Sequence, residues 1–176
     1  MKAAGSSLRL VAKDLESNLN KAEKLYKSHP ECRNLSSLLE LEKGLDIHNG
    51  NVLKDPSAAM GLLWIRRSLA FQSELYTSLT MDDIHPKDAA MLAYIKHLKP
   101  YHGWALGKLF TASLSQMPER EAFIAKFGGV DIDDLDESCD VEVVKKLRTL
   151  TGTWGPLLHC WKEEFERLGL EDIRRV

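Results

Sequence analysis

The sequence has few of the residues that would tie it to a disulfide scaffold, a nucleic acid or a bilayer. Its 176 residues include three cysteines, Cys32, Cys139 and Cys160, which are odd in number, far apart and without a Cys-x-x-Cys pair. That pattern argues against a disulfide framework or a cysteine zinc site and fits a reducing compartment. A formal net charge of −2 offers no general attraction to a polyanion, so nucleic acid is not an expected partner. Met1 to Ser7 carries one lysine and no apolar core, unlike a signal peptide. The longest apolar stretch, Ala58 to Ile65, falls far short of the roughly 20 residues of a membrane-spanning helix. Neither a Gly-x-Ser-x-Gly elbow, a phosphate-cradling glycine loop nor a metal-ligand arrangement occurs. These absences leave a soluble, cytoplasmic protein of one domain over residues 1–176. It is expected to be a monomer, not an enzyme, with no cofactor or metal.

What is present is helix. Leu8, Val11, Leu15, Leu19, Ala22 and Tyr26 recur at intervals of three and four, predicting an amphipathic helix that ends before His29-Pro30. A second helix is predicted from Asn34 as N-cap to Gly44. After a loop from Asp46 to Lys54, Asp55 and Pro56 read as N-cap and first residue of a long helix reaching about Ser78. A loop over Met81 to His85 leads to a helix from Pro86 to about Lys99, and Tyr101 to Gln116 is read as the next. Pro118 opens a shorter helix that Gly128-Gly129 ends. Six acidic side chains between Val130 and Asp140 read as a solvated loop, after which a last helix runs toward Leu168, bent at Gly155-Pro156. No strand pattern or repeat occurs, so the fold class is all-α.

The chemistry begins with Asp14, Asn18 and Lys21. With Asp14 at zero on an ideal helix, Asn18 falls at about 40° and Lys21 at about −20°, one stripe. Val11, Leu15, Leu19, Ala22 and Tyr26 fall at about 60° to 140°, so the polar stripe borders the apolar one. Taken alone, the spacing is better explained by an exposed face shared with Lys13, Glu16 and Lys24. On the helix from Pro56, Trp64 shares a strip with Phe71 and Leu75, an arrangement that suits either a packed core or an aromatic platform at the mouth of an apolar slot. Arg66 and Arg67 are predicted to point away from that strip or to its flank. His102 lies just beyond a helix break, where a neutral imidazole can donate and accept at once, although a lone histidine is more often structural.

Three segments in order, Asp14-Leu15-Glu16-Ser17-Asn18-Leu19-Asn20-Lys21, Leu62-Leu63-Trp64-Ile65-Arg66-Arg67-Ser68-Leu69 and Tyr101-His102-Gly103-Trp104, resemble the glycolipid transfer protein family, glycosphingolipid-binding branch. The resemblance extends from about Leu10 to Phe123. It implies an all-helical, two-layer fold enclosing an apolar lipid chamber, with the sugar held outside. By that resemblance Asp14, Asn18 and Lys21 bind sugar hydroxyls, and Asp14 also takes the ceramide amide N–H. Trp64 stacks beneath the first sugar and His102 bonds the amide carbonyl. Phe71, Leu75, Leu98, Phe110 and Phe123 line the chamber, and Trp104 meets the membrane.

A branch of the same family carries phosphorylated ceramide and places cations where Asn18 and Trp64 stand, so the resemblance favours a neutral glycosphingolipid here. The departures are at the ends. Only 13 residues precede Asp14, so the family's N-terminal helix is expected to be absent. Ile173-Arg174-Arg175-Val176 lacks the terminal tyrosine that reaches the sugar, and Ser115 replaces an aromatic near the membrane-facing surface. The expected function is non-enzymatic transfer of glycosphingolipid between membranes, with reversible peripheral contact. A glycolipid sensor or adaptor, a ceramide-1-phosphate carrier and, remotely, a helical hydrolase are the competing expectations.

Overall fold

The computed structural model describes residues 2–81 and 84–176, with side chains of the first helix from Lys13 onward. Seven α-helices make up the described residues: α1 (Lys2–Ser28), α2 (Leu35–Gly44), α3 (Ala58–Leu79), α4 (Pro86–His97), α5 (Trp104–Leu114), α6 (Arg120–Gly128) and α7 (Glu137–Leu168). A single 3-10 turn, Ile132–Asp134, precedes α7. Among the described residues there is no strand, only an isolated bridge between Asn49 and Val52. None of these helices is long and apolar enough to cross a membrane.

α3 organises the fold because it is apolar on more than one side, and it packs against α1, α2, α4 and α7. Its first half joins Leu38 and Leu39 of α2, Ala22 of α1 and Phe165 of α7 in one core, while Phe71, Leu75 and Leu79 join Ala89, Ala90, Ala93 and Tyr94 of α4 in a second. Trp64 packs against both. A third, smaller cluster of Ile124, Val143 and Leu147 fastens α6 to α7.

Several helix ends obey local chemistry. Asn34 caps α2 in a reciprocal box with Ser37, Pro86 opens α4, and Gly129 closes α6 in the left-handed conformation at φ 73°. Others depart from expectation. α3 is capped by Ser57, which accepts from the Met60 N–H at 3.1 Å, and not by Asp55. The buried Glu42 carboxylate accepts the Ala58 and Ala59 N–H groups at 2.6 and 2.7 Å. A carboxylate from α2 therefore serves the positive end of α3, which frees Asp55 for another role.

The helix expected from Tyr101 begins only at Trp104, with Gly103 as N-cap. Tyr101 and Gly103 are instead engaged by Val176, whose N–H donates to Tyr101 O at 2.9 Å and whose carbonyl accepts from Gly103 N at 2.6 Å. A Cβ on Gly103 would stand 2.9 Å from the Val176 oxygen, so this close approach requires glycine.

The acidic segment is not wholly a solvated loop. Asp136 caps α7, and Asp140, inside its first turns, forms a two-pronged pair with Arg120 at 2.5 and 3.0 Å. The Arg120 hydrogen bonds hold the Asp140 carboxyl below its usual range. α7 itself continues through Pro156 to Leu168.

Candidate head-group site

The α1 stripe is hydrogen-bonded along its length. Asn18 Nδ2 donates to Asp14 Oδ2 at 3.2 Å, and Lys21 Nζ donates to Asn18 Oδ1 at 3.2 Å. Lys21 also pairs with Asp55 at 2.7 Å. Asn18 at its centre is only 4% exposed, while Asp14 at its end remains exposed.

The apolar stripe expected beside it is displaced. Leu19 and Tyr26 are 57% and 48% exposed, whereas Ala22 is buried and Leu25 packs on the first core. Leu8 and Val11 lie outside the described side chains. The face that α1 buries is thus centred on Asn18 and Ala22, the side of the polar stripe. The cause is Gly61 of α3: a Cβ there would sit 2.3 Å from Asn18 O and 3.1 Å from Lys21 Cβ. The missing side chain lets the two backbones cross in contact, three residues before Trp64. Periodicity could not reveal this, because the decisive residue is a glycine on another helix.

Burial raises the Asp14 carboxyl above its ordinary value, with the Lys21 charge and the Asn18 hydrogen bond opposing. Around the stripe one cation, Lys21, faces two carboxylates, Asp14 and Asp55.

Trp64 is half-buried, and its ring lies 5.6 Å from the His102 ring, centroid to centroid. His102 is enclosed further by Tyr94 at 5.6 Å and Phe110 at 5.5 Å. Burial, followed by the nearby Arg67 charge, lowers the His102 pKa, which favours the neutral imidazole. Its Nδ1 is buried and makes no hydrogen bond among the described residues. Such an atom is one place where a polar group of a ligand would be compensated.

Phe71, Leu75 and Leu98 are buried, and Phe110 and Phe123 pack on the same cluster, so the five expected chamber residues converge. Phe71 meets Phe110 edge to face at 5.6 Å, and Tyr94 stacks on Phe110 at 4.9 Å. Tyr94 and the three alanines of α4 belong to this cluster and were missed in the sequence, where α4 shows no clear period. Trp104 stands at the start of α5, 76% exposed, with Lys108 Nζ 4.2 Å from its ring.

Arg66 and Arg67 differ most from expectation. Neither reaches solvent as a free flank: they are 7% and 5% exposed. Both engage Glu171, at 2.5 Å from Arg66 and 3.2 Å from Arg67, and Arg67 also donates to the Asp172 carbonyl. The Arg67 guanidinium lies 5.3 Å from the Trp64 ring centroid and 3.4 Å from that of Tyr101. It therefore backs the Trp64 ring, held by partners near the C-terminus that are far away in sequence.

Comparison with known proteins agrees with this architecture. The family model described as glycolipid transfer protein (GLTP) matches residues 1–129. The chain is 27% identical to glycolipid transfer protein 1 of Arabidopsis thaliana over 172 residues, covering 97% of this chain and 78% of that one. It is 33% identical to the glycolipid transfer protein of Danio rerio over 151 residues, covering 81% and 70%. Among solved structures, FAPP2, described as selecting simple glycosphingolipids using the GLTP fold, superposes with a TM-score of 0.83 at 24% identity over 97% of this chain and 80% of that one. Human ceramide-1-phosphate transfer protein bound to 12:0 ceramide-1-phosphate superposes with a TM-score of 0.78 at 17% identity, covering 98% and 82%. At such identities the two structures speak for the fold, which both kinds of ligand share, while the family model spans most of the sequence. The chain belongs to the glycolipid transfer protein family.

Proposed function

We propose that this GLTP-fold lipid transfer protein is a single-domain, monomeric carrier that moves glycosphingolipids between membranes without chemical conversion. The observation that carries the choice of cargo is the charge balance at the α1 stripe: Lys21 is matched by Asp55 at 2.7 Å, with Asp14 beside it. A phosphate placed there would face more carboxylates than free cations. A sugar needs instead mixed donors and acceptors around a flat apolar face, which Asp14, Asn18, Lys21 and Trp64 offer. His102, with its unpartnered Nδ1, would serve the ceramide amide.

The energetics divide between the two parts of the lipid. At about 0.8 kcal/mol per methylene, exposing a long acyl chain to water costs on the order of 10 kcal/mol, and an apolar chamber around Phe71, Leu75, Leu98, Phe110 and Phe123 removes most of that barrier. A bilayer is equally apolar, so chain burial cannot select the cargo. Selection falls to the head group, where an unpaired buried polar atom costs roughly 1–3 kcal/mol. Exposed Trp104 is assigned to transient membrane contact.

The test is transfer of fluorescent galactosylceramide between vesicles, with ceramide-1-phosphate as competitor. Asp14→Val and Trp64→Ala are expected to abolish transfer while helicity is kept, and ceramide-1-phosphate is expected to compete poorly. Unchanged transfer in both variants would sink the assignment. Stronger competition by ceramide-1-phosphate than by galactosylceramide would reassign the cargo to phosphosphingolipid.

A further inference from the structure

On the side of α3 away from the α1 stripe lies a recess of about 430 Å³, between α3, α4 and α7. Its size is that of a small-molecule site, and its wall, part apolar, carries an excess of basic side chains. Four fixed cations line it, Arg66, Arg67, Lys96 and Lys162, against two carboxylates, Glu74 and Glu171. His97 and His159 add two groups able to gain charge.

The two arginines make this more than a charged surface. Each spends its Nη2 on the tail of the chain: Arg66 on Glu171, Arg67 on Glu171 and the Asp172 carbonyl. Both Nε atoms are buried without a partner, and neither Nη1 has a hydrogen bond among the described residues. Two guanidiniums, each more than nine-tenths buried, thus share one carboxylate at the floor of a cavity. Such a floor is costly unless something else supplies negative charge. The Tyr101 ring, 3.4 Å from the Arg67 guanidinium, fixes the plane of that fork.

The remaining cations stand around the rim with weaker commitments. Lys96 pairs with Glu74 at 2.7 Å and Lys162 with Glu166 at 3.4 Å, both in exposed positions, and His159 lies 3.4 Å from Glu163. Exposed pairs of this kind are worth little and exchange readily for a stronger acceptor. Buried arginine forks with mobile lysines above them suit a phosphate group with several oxygens.

We propose that this recess is a second ligand site, distinct from the sugar stripe, that binds a phosphate-bearing anion, either free in solution or on a lipid head group. Because Arg67 touches both the recess and Trp64, occupancy would stiffen the back of the head-group platform. The proposal does not depend on the cargo of the chamber.

The experiment measures binding of inorganic pyrophosphate to the full chain by calorimetry, and binding of the chain to phosphatidylcholine vesicles with and without phosphatidic acid. Saturable binding in either arm is expected, accompanied by a rise in Tm with pyrophosphate concentration if the free anion is the ligand. Pyrophosphate binding alone identifies a soluble ligand, and vesicle binding alone a lipid phosphate. The double variant Lys96→Gln/Lys162→Gln is expected to weaken binding roughly tenfold or more. Ser73→Glu, which puts a carboxylate into the wall, is expected to abolish it. Neither variant should alter galactosylceramide transfer without the anion, and Asp14→Val should leave anion binding unchanged. No saturable binding in either arm would overturn the proposal, as would equal affinity in the native chain and both variants.

Discussion

The two large cores of this protein are built differently. The core of α1, α2, the first half of α3 and the end of α7 is aliphatic, with Leu38, Leu39, Leu62 and Leu63 at its centre. Buried polar groups lock its edges. Glu42 holds the start of α3, Asp172 accepts the Leu53 N–H at 2.9 Å, and Arg67 binds the tail. The core of α3, α4 and α5, rich in aromatic rings, holds none of the buried charged side chains found among the described residues, and two rings packed on it, Phe110 and Phe123, are partly exposed. The first core is a frame whose opening would strand buried polar groups. The second is closed by ring contacts. Trp64 lies on the seam, packed against both.

The comparison breaks if both cores answer alike to truncation. Leu39 is fully buried, so Leu39→Ala is expected to cost about 2–5 kcal/mol in urea unfolding. The Asp14–Asn18–Lys21 network, on another helix, should survive it. A loss below about 1 kcal/mol would mean that the frame relaxes as freely as the second core.

Phe110→Ala sharpens the same contrast. It removes more atoms than Leu39→Ala, but from a partly exposed ring, and is expected to cost only about 1–2 kcal/mol. Its larger effect should appear in lipid selection, with vesicle transfer shifting toward longer or bulkier acyl chains. A stability loss greater than that of Leu39→Ala, with selection unchanged, would make Phe110 a frame residue.

What could be read from the sequence divides along the same line. Helix starts and stops set by near neighbours, such as Asn34, Pro86 and Gly129, were legible because their chemistry is local. The order of the three segments carried the fold, and the five residues expected to line a chamber meet in one cluster. The rest depended on contacts across the chain. Glu42 reaching α3, Val176 holding Gly103, and Glu171 joining Arg66 and Arg67 leave no mark on periodicity. Even the polar stripe was only half legible: its spacing was clear, but hydrophobic pattern pointed the buried face toward Leu19 and Tyr26. Gly61 decided otherwise, because a backbone crossing is set by the residue that is small, not by those that are apolar.

The smallest effect expected is a pH dependence that belongs to the seam. Burial first, and the Arg67 charge second, depress the His102 pKa below the ordinary histidine value of 6.5. The unfolded chain therefore takes up this proton more readily than the folded one. Stability rises with pH wherever the unfolded state binds more protons, so the His102 contribution is intact above about 6.5 and is lost as pH falls from there toward the depressed folded value. His97, lowered chiefly by burial, acts in the same direction. Asp14, raised chiefly by burial, acts oppositely at more acid pH. His102→Gln, which keeps a polar side chain but does not titrate, is expected to flatten the fall in urea midpoint between about pH 7 and about pH 5, leaving the share due to His97. An unaltered pH slope in His102→Gln would place the sensitivity elsewhere and remove the histidine from the seam's polar balance.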